Sequence, residues 1–279
     1  MKKENFIQAG RLWLTGAVLF ALRLVQLRSG FDPDTGLALP ASDPASLPGR
    51  ILWIALLACL AAEAVLCIRR PAGAKRSYAC CFTAPEGLTL GLLAAGSFLL
   101  AAGGALLLIR ALPPQGTAAA TAAAAGALGI AGGAGFLLLA KELRGSGSPT
   151  LFPMLPAMFF SVLFVLAVYF PEESNPVLDG FYVPVLGAAM AAYFLYHLSG
   201  FTRQEGSLRW LVFTGDMAVI TCTAAAADGL RDAGRLLIFL GCAVLATVFL
   251  LLLRRDPLPE PETPAGEENG GTQAAEEQA

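Results

Sequence analysis

Positions 236–253 read LLIFLGCAVLATVFLLLL, an uncharged run between Arg235 and Arg254. A bilayer core about 30 Å thick needs roughly 20 helical residues at 1.5 Å each, so this run is typical of a membrane-spanning helix. Seven similar runs precede it along the chain. The eight predicted spans are residues 12–27, 51–68, 87–109, 118–140, 151–170, 181–198, 210–227 and 236–253.

The composition agrees with a membrane protein. Hydrophobic residues make up 56% of the chain and charged residues only 14%, against about 25% charged in soluble domains. No segment between the apolar runs is long enough for a separate soluble core. We therefore predict an all-α polytopic bundle of about eight spans over residues 1–255, followed by a tail over residues 256–279. The first span, which contains Arg23, and the fourth, which is rich in Ala and Gly, are the weakest.

Loop charges predict the orientation, because Lys and Arg accumulate on the cytoplasmic side of a membrane. Thirteen of the 19 basic residues fall at the N-terminus, at the C-terminal end and in the connections on the same side as these. Five fall in the alternate connections, and Arg23 lies inside the first span. Both termini are therefore expected in the cytoplasm, with the bundle in the plasma membrane.

The predicted tail carries acidic residues without any base: Asp256, Glu260, Glu262, Glu267, Glu268, Glu276 and Glu277. A segment with so little apolar surface cannot offset the entropy of ordering, so disorder is expected. This cytoplasmic tail, or the Pro-rich outer loop over residues 28–50, would contact a protein partner. Apart from the lipid bilayer no other partner is indicated, and no basic stripe suggests nucleic acid.

Small residues at four-residue spacing mark two predicted spans, and such faces let helix backbones approach closely in lipid. Two interpretations are open, a tightly packed hairpin within one chain and a dimerisation face. The residues are Gly87, Gly91 and Ala95 in the third span and Ala125, Gly129 and Gly133 in the fourth.

Several enzyme classes lack their residues. The single histidine, His197, excludes sites that need two, and no Walker or dinucleotide-binding loop is present. Phe213-Thr214-Gly215-Asp216 resembles the GxGD signature of intramembrane aspartyl proteases, but Phe213 stands where that family has glycine. No other span contains the second aspartate that such a protease needs. We expect a non-enzymatic protein without a cofactor or a metal.

Two further patterns are weak. Asp32 and Asp34 have the spacing that begins a calcium loop but lack its later ligands, so a plain turn explains them as well. Cys80 and Cys81 lie in a predicted cytoplasmic loop, where they are either inert thiols or lipidation sites. No cysteine lies on the predicted outer side, and no structural disulfide is expected.

Charged side chains inside spans are the best functional indicators, because each is costly in lipid and is usually paired or facing a cavity. Arg23 is predicted to lie about 8 Å below the outer surface. It would anchor the first span there, either by extending its side chain outward or by pairing with Asp179 or Asp228.

Three other polar residues share one predicted depth, about 9–10 Å inside the cytoplasmic surface. They are Glu63, His197 and Asp216, and Tyr193 lies one turn before His197 on the same face. If their helices are neighbours, they form a polar layer that could hold a proton or a cation. Otherwise each side chain reaches the near interface alone.

Two short stretches, FDPDTG at residues 31–36 and SNPVL at residues 174–178, resemble those of a group of polytopic bacterial membrane proteins whose activity is not established. The resemblance implies membrane topology only. The sequence therefore predicts either a sensor, accessory subunit or scaffold, or a transporter or channel for a small solute or proton that uses the polar layer.

Overall fold

The computed structural model describes residues 3–32, 39–40, 42–69, 75–113, 116–144, 150–170 and 178–254. In these residues the structure contains eight helices that are long and apolar enough to cross a membrane, and no β-strand. The predicted multi-span helical bundle is confirmed. The tail over residues 256–279, Asp34 and the stretch SNPVL up to residue 177 lie outside the described residues.

Apart from the start of the first, the long helices follow the predicted spans closely, and a short helix, α3, lies between the second and third long helices. Their bounds are α1 Lys3–Ser29, α2 Leu47–Arg69, α3 Tyr78–Cys81, α4 Leu88–Ala111, α5 Gly116–Arg144, α6 Leu155–Tyr169, α7 Leu178–Gly200, α8 Leu208–Ala225 and α9 Ala233–Leu252. Short 3₁₀ turns include Pro44–Ser46 before α2, Phe152–Met154 before α6, Phe201–Arg203 after α7 and Asp228–Arg231 between α8 and α9.

The first helix begins earlier than its apolar run predicts. It starts at Lys3 instead of near residue 12, so Gln8 and Arg11 lie inside a helix and not in a terminal segment. Asn5 Nδ2 donates to the carbonyls of Leu251 and Leu253 at 3.4 and 3.2 Å. The start of α1 and the end of α9 therefore lie at the same end of the bundle, called the inner end below. The opposite end is the outer end.

The eighth helix lies at the centre of the bundle, in contact with α1, α2, α7 and α9. Every residue from Thr214 to Ala225 is buried. Most of these residues are small, so neighbouring helices can approach α8 from all sides. Asp216, in this buried run, consequently cannot reach lipid or bulk water from its own helix.

Glycine contacts hold α4 against α5. A methyl group added at Gly133 would lie 2.6 Å from Ser97 O, and one added at Gly104 would lie 2.7 Å from Gly126 O. The α5 pattern of Ala125, Gly129 and Gly133 is buried, as a packed hairpin requires.

The predicted α4 pattern lies on a different face. Gly87, Gly91 and Ala95 are exposed, and a methyl group added at Gly87 or Gly91 would have no neighbour within 4 Å. The hairpin instead uses the α4 face that carries Ser97 and Gly104. The four-residue spacing identified a small-residue stripe on α4 but not the side of the helix that meets α5.

The described part of the connection between α2 and α4, residues 75–87, packs at the inner end of the bundle. Cys80 and Cys81 in α3 are buried, so they resemble inert core thiols more than accessible lipidation sites. Thr83 N donates to Leu252 O at 2.9 Å and Arg254 N to Cys81 O at 2.7 Å. No disulfide joins the six cysteines, all of which are described.

Candidate functional site

The first helix, α1, makes polar contacts at two places that the sequence singles out, the predicted polar layer at the inner end and Arg23 at the outer end. Its buried positions Leu12, Gly16, Leu19, Arg23 and Gln26 recur every three or four residues, which is the spacing of one helix face. Arg23 therefore faces the bundle and not the lipid. Gln8 and Arg11 lie near this face at the inner end.

Asp216 of α8 meets Gln8 of α1 at the inner end. Gln8 Nε2 donates to both carboxylate oxygens of Asp216, each at 3.1 Å. Asp216 has no exposed surface. A carboxylate removed from water in this way needs donors, and the Gln8 amide supplies one. The contact also fixes α1 against the central helix.

Glu63 of α2 meets Arg11 of the same helix α1. Arg11 Nη2 lies 3.2 Å from Glu63 Oε1, with the glutamate buried and the arginine side chain 56% exposed. Cys67, one turn after Glu63, accepts a contact from Arg209 Nε at 3.4 Å. Glu63 is therefore a buried carboxylate whose positive partner is exposed at the surface of the bundle.

The polar layer predicted from depth is divided in the structure. Glu63 and Asp216 both contact α1, through residues only three positions apart. His197 instead lies against Trp210 of α8, with ring centroids 6.0 Å apart and planes at 9°.

Tyr193 and Tyr196 flank the His197 ring at 6.2 and 5.3 Å, and both are largely exposed. Exposed aromatic rings near the end of a span are typical of the membrane interface. Within the described residues, the ring contacts of His197 are with these three aromatic residues. Tyr193 therefore belongs to this aromatic group, whereas the two acids, Glu63 and Asp216, contact α1.

Arg23, the predicted anchor at the outer end, forms a buried ion pair with Asp228. Arg23 has no exposed surface, and its Nη2 lies 2.7 Å from Asp228 Oδ1. Nε donates to both Asp228 oxygens at 3.2 and 3.0 Å, and Nη1 donates to Gln26 Oε1 at 2.7 Å. The Arg23 side chain thus turns into the bundle; it does not extend outward. The Asp179 side chain lies outside the described part of the structure.

An aromatic ring lies beside the same arginine. Arg23 Cζ lies 5.5 Å from the ring centroid of Tyr182 in α7, which stacks on Trp53 of α2 at 4.1 Å. Burial raises the pKa of Asp228 above its ordinary value, although the hydrogen bonds and charge of Arg23 act in the opposite direction. The pair joins α1 to the turn between α8 and α9.

Sequence reasoning missed Gln8, Arg11 and Gln26. It treated Gln8 and Arg11 as a terminal segment, because hydropathy places the span after them. The helical spacing from Gln8 through Leu12 to Arg23 and Gln26 would have revealed a continuous face with polar residues at both ends. The identity of their partners depends on which helices are neighbours.

The chemistry available at the inner end is that of two buried carboxylates held by an amide and a guanidinium. Such an arrangement can fix helices, or exchange a proton if water reaches it. Within the described ranges, no group of three or more His, Cys, Asp and Glu side chains is placed to hold a metal ion.

Comparison with known proteins adds no relative. No protein-family model matches the chain, and neither a curated protein nor a solved structure matches it.

Proposed function

We propose that this multi-pass membrane protein is a non-enzymatic sensor, accessory subunit or scaffold of the plasma membrane. The observation that carries the proposal is that each buried charged side chain at the two candidate sites has a polar partner. Arg23 binds Asp228, Arg11 binds Glu63 and Gln8 binds Asp216. Each contact joins α1 to another part of the bundle.

Paired groups of this kind support an architectural role. Side-chain hydrogen bonds between membrane helices contribute about 0.6 kcal/mol each on average, so several together hold α1 in one position. Trp13 Nε1 adds a contact to Thr247 Oγ1 of α9 at 2.9 Å. An accessory or scaffold protein needs this fixed arrangement of helices and no chemical step.

The partner surface we propose is the acidic segment over residues 256–279. Its seven carboxylates and lack of bases favour a partner with a basic cytoplasmic surface. Ending the chain at Asp256 tests this role. Loss of a co-purifying partner, with the helical body still monodisperse in detergent, is expected. Unchanged co-purification would reject the tail as the contact.

A second candidate is a proton-coupled transporter. The observation that favours it is the position of Gln8 and Arg11, less than one helical turn apart, which brings Asp216 and Glu63 to the same level of α1. Two acids at one level could pass a proton between them through water. In this case their pairing with α1 would be one state of a working cycle.

Proton flux into proteoliposomes separates the two candidates. The purified protein is reconstituted with a pH-sensitive dye inside the vesicles, and a pH gradient is applied. For the accessory role, flux should equal that of protein-free vesicles for the wild type, Glu63→Gln and Asp216→Asn. Glu205→Gln is the matched control, because Glu205 is an exposed carboxylate near the inner end. Flux that Asp216→Asn abolishes and Glu205→Gln retains would replace our first proposal with the second.

A further inference from the structure

A cavity of about 340 Å³ lies at the outer end of the bundle. Five structural elements line it: the end of α1, α6, the start of α7, the turn Asp228–Arg231 and the start of α9. Its apolar wall comes from Leu24, Leu27, Val168, Pro184 and Leu230. The volume is at the lower end of the range for small-molecule sites.

Three arginines line the same cavity. Arg28 comes from α1, Arg231 from the turn and Arg235 from α9, so three separate elements direct positive charge to one place. The one carboxylate in the wall is Asp228, which Arg23 already engages at 2.7 Å. The cavity consequently has an excess of positive charge.

The arginines differ in how far they are neutralised. Arg235 Nε lies 3.7 Å from Asp232, a residue that also binds Arg110. Arg28 and Arg231 form no ion pair with a carboxylate in the described ranges. Like charges brought to one cavity repel each other, and an anion between them would remove this repulsion.

The depth of the charges matches a bilayer interface. Arg28 is in the last turn of α1, and Arg231 lies between two spans, whereas Leu24 lies about one turn further into α1. Guanidinium groups above an apolar wall complement a molecule with an anionic head and a hydrocarbon chain. Because guanidinium groups bind phosphate oxygens through paired hydrogen bonds, three of them favour a phosphate head.

We propose that this cavity binds the phosphate head group of an anionic lipid, with Arg28, Arg231 and Arg235 on the phosphate and Leu24 and Leu27 against the chain. The site is independent of the accessory role proposed above and of the acids at the inner end. It would give the outer end of the bundle a specific lipid contact.

Binding can be measured by native mass spectrometry of the full chain in neutral detergent. The ligands are phosphatidate, phosphatidylcholine, oleate and inorganic phosphate. Phosphatidate should bind at least about tenfold tighter than the other three, since only it combines a net negative phosphate with a chain. Equal binding of oleate would reject the preference for phosphate. Equal binding of inorganic phosphate would assign the site to a free anion and reject the lipid.

Variants test the location. Arg28→Gln and Arg231→Gln remove exposed side chains, and each should weaken phosphatidate binding by about tenfold. Arg50→Gln is the matched control, because Arg50 is an exposed arginine at the same end that does not line the cavity. Leu27→Trp fills the apolar part and should also weaken binding. The proposal is overturned if Arg50→Gln weakens binding as much as Arg231→Gln, or if Leu27→Trp has no effect.

Discussion

Arg23 and Asp228 form a salt bridge between residues 205 positions apart in the chain, with Nη2 2.7 Å from Oδ1. The arginine is fully buried, and the aspartate side chain is 12% exposed. A buried pair of this kind is costly to break from one side, because the remaining charge has lost its partner.

The first prediction is a double-mutant cycle on this pair. Asp228→Leu should lower the free energy of unfolding by about 3–5 kcal/mol, since it leaves the Arg23 guanidinium buried without this carboxylate. The double variant, which carries both Arg23→Leu and Asp228→Leu, should be less destabilised than the single variant Asp228→Leu. Denaturant titration in detergent micelles measures both. Additive effects of the two substitutions would show that the pair has no coupling energy.

The second prediction compares two glycines of the α4–α5 hairpin. Gly133→Ala should destabilise the protein by about 1–3 kcal/mol, because its methyl group meets the Ser97 carbonyl at 2.6 Å. Gly91→Ala, with open space around its Cβ, should be neutral or stabilise by up to about 1 kcal/mol through helix propensity. Thermal unfolding in detergent gives both values. Equal losses at the two sites would contradict the packing of α4 described above.

The third prediction concerns Tyr78, which stacks on Phe82 at 4.2 Å in the inner connection. Its hydroxyl is buried and has no hydrogen-bond partner within the described residues. Burial raises its pKa. The folded state therefore keeps the proton above about pH 10, where the unfolded chain releases it. The free energy of unfolding should fall as pH rises above this value, by up to about 1.4 kcal/mol per pH unit.

Tyr78→Phe is the control for this pH dependence. It removes an unsatisfied buried hydroxyl, so at neutral pH the variant should be as stable as the wild type or more stable. A plot of the unfolding midpoint against pH, from pH 9 to pH 11, should have a different slope for the two proteins. If the slopes are identical, Tyr78 is exposed to solvent in the folded state.

The fourth prediction is the topology. Single cysteines placed at Thr35, Asn175 and Glu205 in a cysteine-free background should react with a membrane-impermeant maleimide. Positions 35 and 175 should be labelled from the outside of intact cells, and position 205 only after permeabilisation. Labelling of positions 35 and 175 from opposite sides would contradict eight spans.

Hydropathy predicted the eight spans because burial in lipid depends on the apolar length of each segment alone. The predicted start of the first span, near residue 12, was wrong for the same reason. Gln8 and Arg11 are polar, so hydropathy leaves them outside the span, whereas α1 continues through both residues and they contact α8 and α2.

The site could be predicted only in part. Depth along each helix follows from residue number, so the sequence predicts Glu63, Asp216 and His197 as polar groups inside spans, and the structure has all three in long helices. The helix face that each occupies and the order of helices around the bundle depend on packing between distant segments. His197 consequently meets Trp210, whereas both acids meet α1, and no spacing within a single span distinguishes these outcomes.

The contact between α1 and the turn Asp228–Arg231 also has a consequence for biosynthesis. A ribosome adds about 5–20 residues per second, so the 205 positions between Arg23 and Asp228 take roughly 10–40 s to translate. During this interval α1 has been made and the turn before α9 has not. The nascent chain must therefore keep its first helix near the insertion machinery, or in a provisional position, until the final hairpin arrives. A ribosome that stops before residue 228 leaves a product in which Arg23 lacks this carboxylate.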